Sequence, residues 1–180
     1  MRIVVAISGA SGASLGLRAL EWMPESIERY AIISDHARVV LEKEQALSPV
    51  LPKGVTLLDD RDISAGPASG SYRLDGMLLA PCSMNSLAKI ACGVADTLST
   101  RAAAVMIKEQ RRLVLAPREM PLDAIALENM LKLARLGVVI APPMVGYYAA
   151  IDSLEKLERF IVGRWLDQLG ISHDLFRRWR

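Results

Sequence analysis

The sequence predicts an α/β protein built as an open, doubly wound parallel sheet in a single domain. Three observations predict it. Five aliphatic runs, Ile3–Ile7, Tyr30–Ile33, Met77–Ala80, Leu113–Ala116 and Val138–Ile140, lack polar alternation, as strands buried on both faces of a parallel sheet do. Segments of helical periodicity or Gly/Pro-rich loops separate them, the pattern of βαβ units. The first run also leads straight into a small-residue turn, "SGASGASLG" from Ser8 to Gly16, and then into a helical segment.

The bulk numbers agree with one domain. A chain of 180 residues with 52% hydrophobic content can bury a core, which excludes disorder as its main state. A formal net charge of +2 is too small to indicate a nucleic-acid partner, and the basic ending "FRRWR" is local. No run reaches the ~18–20 apolar residues of a membrane span, and a Gly-rich turn stands where a signal peptide would be cleaved, so a cytoplasmic protein without a membrane partner is expected. Cys82 and Cys92 have no metal-site spacing with His36 and His173 and are too few for a disulfide framework, so no metal is expected.

Along the chain, the first strand, tight turn and helix place backbone N–H groups at the carboxyl end of the sheet, where a phosphate binds well. The spacing Gly9-Ala10-Ser11-Gly12 followed by Gly16 is not G-x-G-x-x-G, and no Gly-Lys-Ser/Thr follows, which argues against a P-loop nucleoside triphosphatase. Small residues here also suit close packing of the helix on the sheet. The Ser11 hydroxyl favours the phosphate reading, since it can cap the helix or donate to a phosphate oxygen.

The second strand ends in Ser34-Asp35-His36, the third in "PCSMNS" from Pro81 to Ser86, and the fourth in Pro117-Arg118-Glu119. Right-handed crossovers gather these ends on one edge, where the site is expected. Ser83-Met84-Asn85-Ser86 offers hydroxyl and amide groups at a helix start, suited to a phosphate, a ribityl chain or a ring carbonyl, and equally to a simple cap. Arg101 and Lys108 fall two helical turns apart on one face. Arg118 and Glu119 put two charges at the active edge, where a pair can hold and protonate a substrate phosphate. Cys82 reads as an inert strand-end core residue.

Two helices are read directly. One spans Leu122–Leu136, with Ile125, Met130, Leu131 and Leu133 turned to the core and Gly137 at its end. The other spans Ser153–Leu169, with Ser153 as N-cap and Lys156 where a capping box would carry Glu or Gln. Tyr147 and Tyr148 follow the last strand, and Arg164 sits on the last helix. "AGPASGSY", Ala65 to Tyr72, reads as a linker-like loop.

Taken in order, "SGASGA", "PASGS", "PCSMNSLAKIACGVADTLSTRAA", "IKEQRRLVLAPREMPL" and "LENMLKLARLGVVIAPPM" resemble the UbiX/Pad1 family of flavin prenyltransferases, over residues 2 to about 178. The resemblance implies a Rossmann-like, flavodoxin-related fold that binds FMN and assembles as a homo-oligomer, a dodecamer, with active sites at subunit interfaces. It implies transfer of a dimethylallyl group from dimethylallyl monophosphate to N5 and C6 of reduced FMN, without a metal. The product, prenylated FMN, serves UbiD-type decarboxylases.

By matching position, the resemblance assigns Ala10, Ser11, Gly12, Ser34, Ser83, Met84, Asn85, Ser86 and Arg101 to FMN. It assigns Lys108, Arg118, Glu119, Tyr148 and Arg164 to the prenyl phosphate, some from a neighbouring subunit, with Lys108 and Glu119 serving catalysis. Glu44 matches an acidic residue of the family associated with proton transfer at the flavin. Where some relatives carry an aromatic residue before "PASGS" this chain has Ile63, and "MVGYY" stands for the commoner Pro-Gly-Phe-Tyr. The apolar and basic ending, about residues 171–180 with Phe176 and Trp179, is expected to pack on a neighbouring subunit. The alternatives are an FMN-dependent cysteine decarboxylase of the same fold, which would carry a mid-chain His and a "PASANT"-like loop, and a non-catalytic FMN-binding or carrier protein.

Overall fold

A computed structural model of the chain describes residues 1–45 and 50–179. They form a six-stranded parallel sheet in the order β3-β2-β1-β4-β5-β6. The strands are β1 (Arg2–Ile7), β2 (Glu28–Ile33), β3 (Val55–Leu58), β4 (Gly76–Cys82), β5 (Arg112–Pro117) and β6 (Val139–Ile140). Helices α1 (Ser14–Trp22), α2 (Asp35–Gln45), α3 (Met84–Ala91), α4 (Leu98–Lys108), α5 (Ala124–Arg135) and α6 (Leu154–Leu169) connect or cover them. The strand order reverses between β1 and β4, so this doubly wound sheet has its crevice at the carboxyl ends of those two strands.

Burial follows the aliphatic runs. Ile3 to Ile7 and Met77 to Cys82 are buried throughout, because helices cover both faces of the central strands. On one face Val5, Ile7, Ala31 and Leu78 pack with α1 and α6 through Leu20, Val162 and Trp165. On the other Val4, Ala6, Ile32 and Met77 pack with α3 and α4 through Leu87, Leu98 and Met106.

All five expected strands are present. The sixth, β3, escaped the sequence reading because it is a four-residue edge strand whose Thr56 and Leu57 are exposed, leaving no buried run to detect. The expected linker is instead two packed 3₁₀ turns, Gly66–Ala68 and Gly70–Tyr72, with Pro67 and Ala68 buried. Arg101 Nε donates to the Ala68 carbonyl and Arg111 to that of Gly70, which holds the segment to α4 and its end.

The core face expected for α5 needs correction at Ile125 and Leu131, which are 70% and 51% exposed. The inward stripe runs through Ala126, Met130 and Leu133, at i, i+4 and i+7, with Leu133 fully buried. A helix packed by so narrow a stripe leaves the flanking apolar residues outside. The cap of α6 is as expected: Ser153 Oγ accepts from the Lys156 N–H at 3.3 Å.

The N-cap of α1 is Ala13, without a side-chain bond, so the expectation that Ser11 caps this helix does not hold. Close packing does explain Gly16: a Cβ there would stand 2.4 Å from the Ala80 carbonyl oxygen and 2.7 Å from Ile7. Because the first obstacle is backbone, Gly16→Ala is expected to lower stability by about 1–3 kcal/mol. Urea denaturation checks this, and an unchanged midpoint would show that α1 shifts freely. Among the described residues, no helix is long and apolar enough to cross a membrane.

Candidate active site

The crevice is closed at its base by Ser8, the first residue after the apolar run. Its buried hydroxyl donates to the Pro81 carbonyl at 2.8 Å and accepts from the Ser83 N–H at 2.8 Å, stapling the ends of β1 and β4 together. The sequence reading passed over Ser8 as part of the turn. Its signal is a small hydroxyl residue placed directly after a buried central strand.

Three helix N-termini are capped along the wall of one cavity. Ser34 Oγ accepts from the Ala37 N–H in the first turn of α2, at 3.2 Å. Ser83 Oγ accepts from the Ser86 N–H at the start of α3, also at 3.2 Å, and donates to Ser86 Oγ. Thr97 and Thr100 form a reciprocal capping box on α4. Ser34, Ser83, Asn85, Ser86, Thr97 and Thr100 all line a cavity of about 590 Å³. The cap reading of "PCSMNS" holds, and the same hydroxyls line the opening. The positive ends of these helices suit an anionic or electron-rich guest.

Charged pairs ring the mouth. The Arg61 hydrogen bond holds the Asp35 carboxyl below its usual range, and the one from Lys89 does the same for Asp96. Asp60 accepts from the Ser99 N–H at 2.8 Å and ties the loop after β3 to α4. Apart from Asp35, which stands in the second strand-end stretch, these wall residues give no signal in sequence, because single Asp, Lys and Arg residues in loops are the ordinary surface pattern.

The β1–α1 turn carries an anion already. Glu44, from the end of α2, accepts from the Gly12 N–H with both carboxylate oxygens at 3.1 Å. Gly12 has φ +82°, a left-handed conformation that suits glycine. Ser11 is exposed beside it and Ala10 is buried, while neighbouring Gly9 lines the cavity. Met84 packs on the core beneath α3 and does not line the cavity.

A second hollow of about 490 Å³ opens beyond β6, lined by Ile140, Met144, Tyr148, Phe160 and Arg164. By strand order, the end of β5 lies between the two hollows, and Arg118 and Glu119 stand there. The Arg118 N–H donates to the Cys82 carbonyl at 3.2 Å, and its Nε is buried without a hydrogen-bond partner among the described residues. Glu119 is exposed and accepts from the Met120 N–H. Burial pushes the Cys82 thiol up, which keeps it protonated and inert.

Arg101 and Lys108 are not brought to either hollow within one chain. The helix α4 runs antiparallel to the strands, so from its first turn at the cavity to Lys108 it travels about 15 Å toward the amino edge of the sheet. There Lys108 pairs with Glu109 at 2.8 Å.

The residues present fit a flavin mononucleotide. The cavity lies within the ~300–1,000 Å³ of small-molecule sites. Its hydroxyls, amide and helix N-termini match a ligand with one phosphate, a polyol chain and a polar ring edge.

A family model described as "Flavoprotein" matches residues 1–166. The chain is 47% identical to the flavin prenyltransferase UbiX of Helicobacter pylori, covering 99% of this chain and 98% of that protein. AnUbiX (PadA1), solved in complex with FMN and dimethylallyl pyrophosphate, is 40% identical with a TM-score of 0.92, over 99% of this chain and 97% of that one. A dodecameric FMN-dependent UbiX-like decarboxylase from Escherichia coli O157:H7 is 40% identical with a TM-score of 0.91, over the full length of both chains.

Proposed function

Because the chain belongs to the flavoprotein family and, within it, to the UbiX/Pad1 flavin prenyltransferases, we propose that FMN lies in the cavity at the β1/β4 crevice and the prenyl phosphate beside it at Arg118. The protein is an enzyme that joins a dimethylallyl group, from dimethylallyl phosphate, to reduced FMN. Its product is the prenylated flavin used by UbiD-type decarboxylases, and it works as a homo-oligomer, a dodecamer like its Escherichia coli relative. The observation that supports the reading is the meeting of three capped helix starts at one cavity, with the β1–α1 turn entering its wall at Ser8 and Gly9 and Arg118 and Glu119 at the adjoining strand end.

Reduced flavin, when bound, supplies the N5 nucleophile and the C6 position for ring closure. The chain supplies the rest. Breaking the allylic C–O bond leaves extra negative charge on the departing phosphate, so cations and an acid must surround its oxygens. Arg118, Arg164 and the Tyr148 hydroxyl bind the phosphate from the two sides of the β5 end. Glu119 donates a proton to the leaving oxygen. Glu44, on the Gly12 N–H, lies beside the turn where it can relay a proton at the flavin. Lys108 faces the wrong edge of its own sheet, so it acts in a neighbouring subunit's site. The enzyme works in the cytoplasm.

Anaerobic incubation with reduced FMN and dimethylallyl monophosphate should release a flavin heavier by one isoprene unit, read by mass spectrometry. A flavin of unchanged mass, with FMN bound, would leave a flavin carrier. The monophosphate and the diphosphate are compared in the same assay. Ser11→Asp places a second carboxylate next to Glu44 on the turn, so FMN affinity should fall at least about tenfold. Fluorescence titration of FMN checks this, and unchanged affinity would make the turn purely structural.

A further inference from the structure

The segment after α6 contains a cluster that the site as described leaves unused. Gly170, at φ +73°, turns the chain back along α6. Phe176 and His173 then lie over Gly163, where a Cβ would stand 2.6 Å from the Phe176 ring and 2.8 Å from that of His173. Asp167, on the same face of α6, accepts from Arg178 twice, at 2.8 and 3.1 Å. The Leu175 N–H donates to His173 Nδ1 at 3.1 Å, which leaves Nε2 as the protonated nitrogen, 3.2 Å from Asp167 Oδ1. The His173 side chain is 3% exposed. Burial opposes ionisation of Asp167, but the Arg178 bonds and charge hold its carboxyl below the usual range.

This clasp reaches two residues of the donor end. Trp179, next to Arg178, sets its ring edge-on against Tyr148 at 5.4 Å. Tyr148 in turn packs edge-on against Phe160 at 5.7 Å, and Phe160 against Phe176 at 5.1 Å. Arg164, one turn before Asp167, sits at the long distance of 3.4 Å from Asp167 Oδ2. Arg178 takes both oxygens of Asp167 at shorter range, and His173 shares only Oδ1.

We propose that Asp167 is a positioning residue for binding of the prenyl phosphate. By fastening Arg178 it carries Trp179 onto Tyr148 and fixes that ring, and because Arg178 holds both its oxygens more closely, Asp167 keeps Arg164 only by a 3.4 Å contact that an incoming phosphate can take over. Asp167 touches neither substrate nor flavin; it acts through Tyr148 and Arg164. The inference rests on the reading of those two as phosphate-binding groups. A purely structural clasp would alter stability and leave the donor KM alone.

The test uses the full-length oligomer with FMN bound. Asp167→Asn keeps the shape and removes the charge that holds Arg178. It should expose the tail to trypsin at Arg177 and Arg178 and raise the KM for dimethylallyl monophosphate about tenfold, with kcat within about threefold and FMN affinity unchanged. Asp167→Glu should recover part of the KM. Gly163→Ala, which pushes Phe176 and His173 away without touching any charge, should raise the same KM while the fold stays intact. The proposal is overturned if the tail is released and the KM stays at its wild-type value, or if both variants keep the tail protected. Wild-type enzyme that binds FMN but makes no prenylated flavin would overturn the functional reading instead.

Discussion

Glu119→Gln is expected to slow prenyl transfer by about 10² or more while leaving FMN bound as in the wild type. The amide preserves shape and can still donate a hydrogen bond, but it has no proton to give up to the departing phosphate. The effect should appear in the single-turnover rate at saturating dimethylallyl monophosphate, because an acid acts in the transition state rather than in ground-state binding. Tyr148→Phe offers the contrast. It removes one hydrogen bond to a charged group, of roughly 1.5–3 kcal/mol, and should raise KM more than it lowers the rate. A wild-type single-turnover rate for Glu119→Gln would remove Glu119 from the chemistry. It would transfer the proton to Glu44, whose carboxylate already sits on the Gly12 N–H.

The division between what the chain announces and what it conceals follows burial and reach. Ile3–Ile7 and Met77–Ala80 could be read as central strands because both faces are buried, which leaves no polar alternation. The edge strand Val55–Leu58 has one face in solvent and too few residues to make a pattern. On α5 the composition suggested four core positions, but Ile125 and Leu131 lie outward, since amphipathic spacing shows that a stripe exists and not how wide its partner is. In the site, motifs at strand ends were legible because topology delivers every strand end to one edge; Ser34, Ser83, Asn85 and Ser86 meet for that reason. Asp60 and Asp96 were not, nor were the particular contacts of Ser8 and Asp35 within their strand-end stretches, because these depend on partners distant in the chain: Pro81 and Ser83 for Ser8, Arg61 for Asp35. Asp167 is hidden in the same way, its role set by a tail that folds back on it.

Lys108 shows the same limit in its strongest form, since within its own chain it lines neither hollow and its proposed role needs a neighbouring subunit. Lys108→Ala is expected to reduce turnover by about 10²–10³, the usual cost of removing a group aimed at transition-state charge. The α4 axis puts Lys108 about 15 Å from the cavity-lining first turn of its own helix, while Glu119 stands at the opposite, carboxyl edge of the sheet. If both residues serve one site, as proposed, that site draws Lys108 from one subunit and Glu119 from another. Co-expression of Lys108→Ala and Glu119→Gln chains in equal amounts tests this without any structural probe. If the two residues come from different subunits, random mixing leaves about a quarter of the sites with both native groups, and about a quarter of wild-type activity returns. If one subunit supplied both, every site would lack one of them and the mixed oligomer would be as inactive as its parents. Size-exclusion chromatography of the mixture, with each chain carrying a different tag, verifies co-assembly, so an inactive mixed oligomer would place Lys108 and Glu119 on the same chain's site and overturn the shared arrangement.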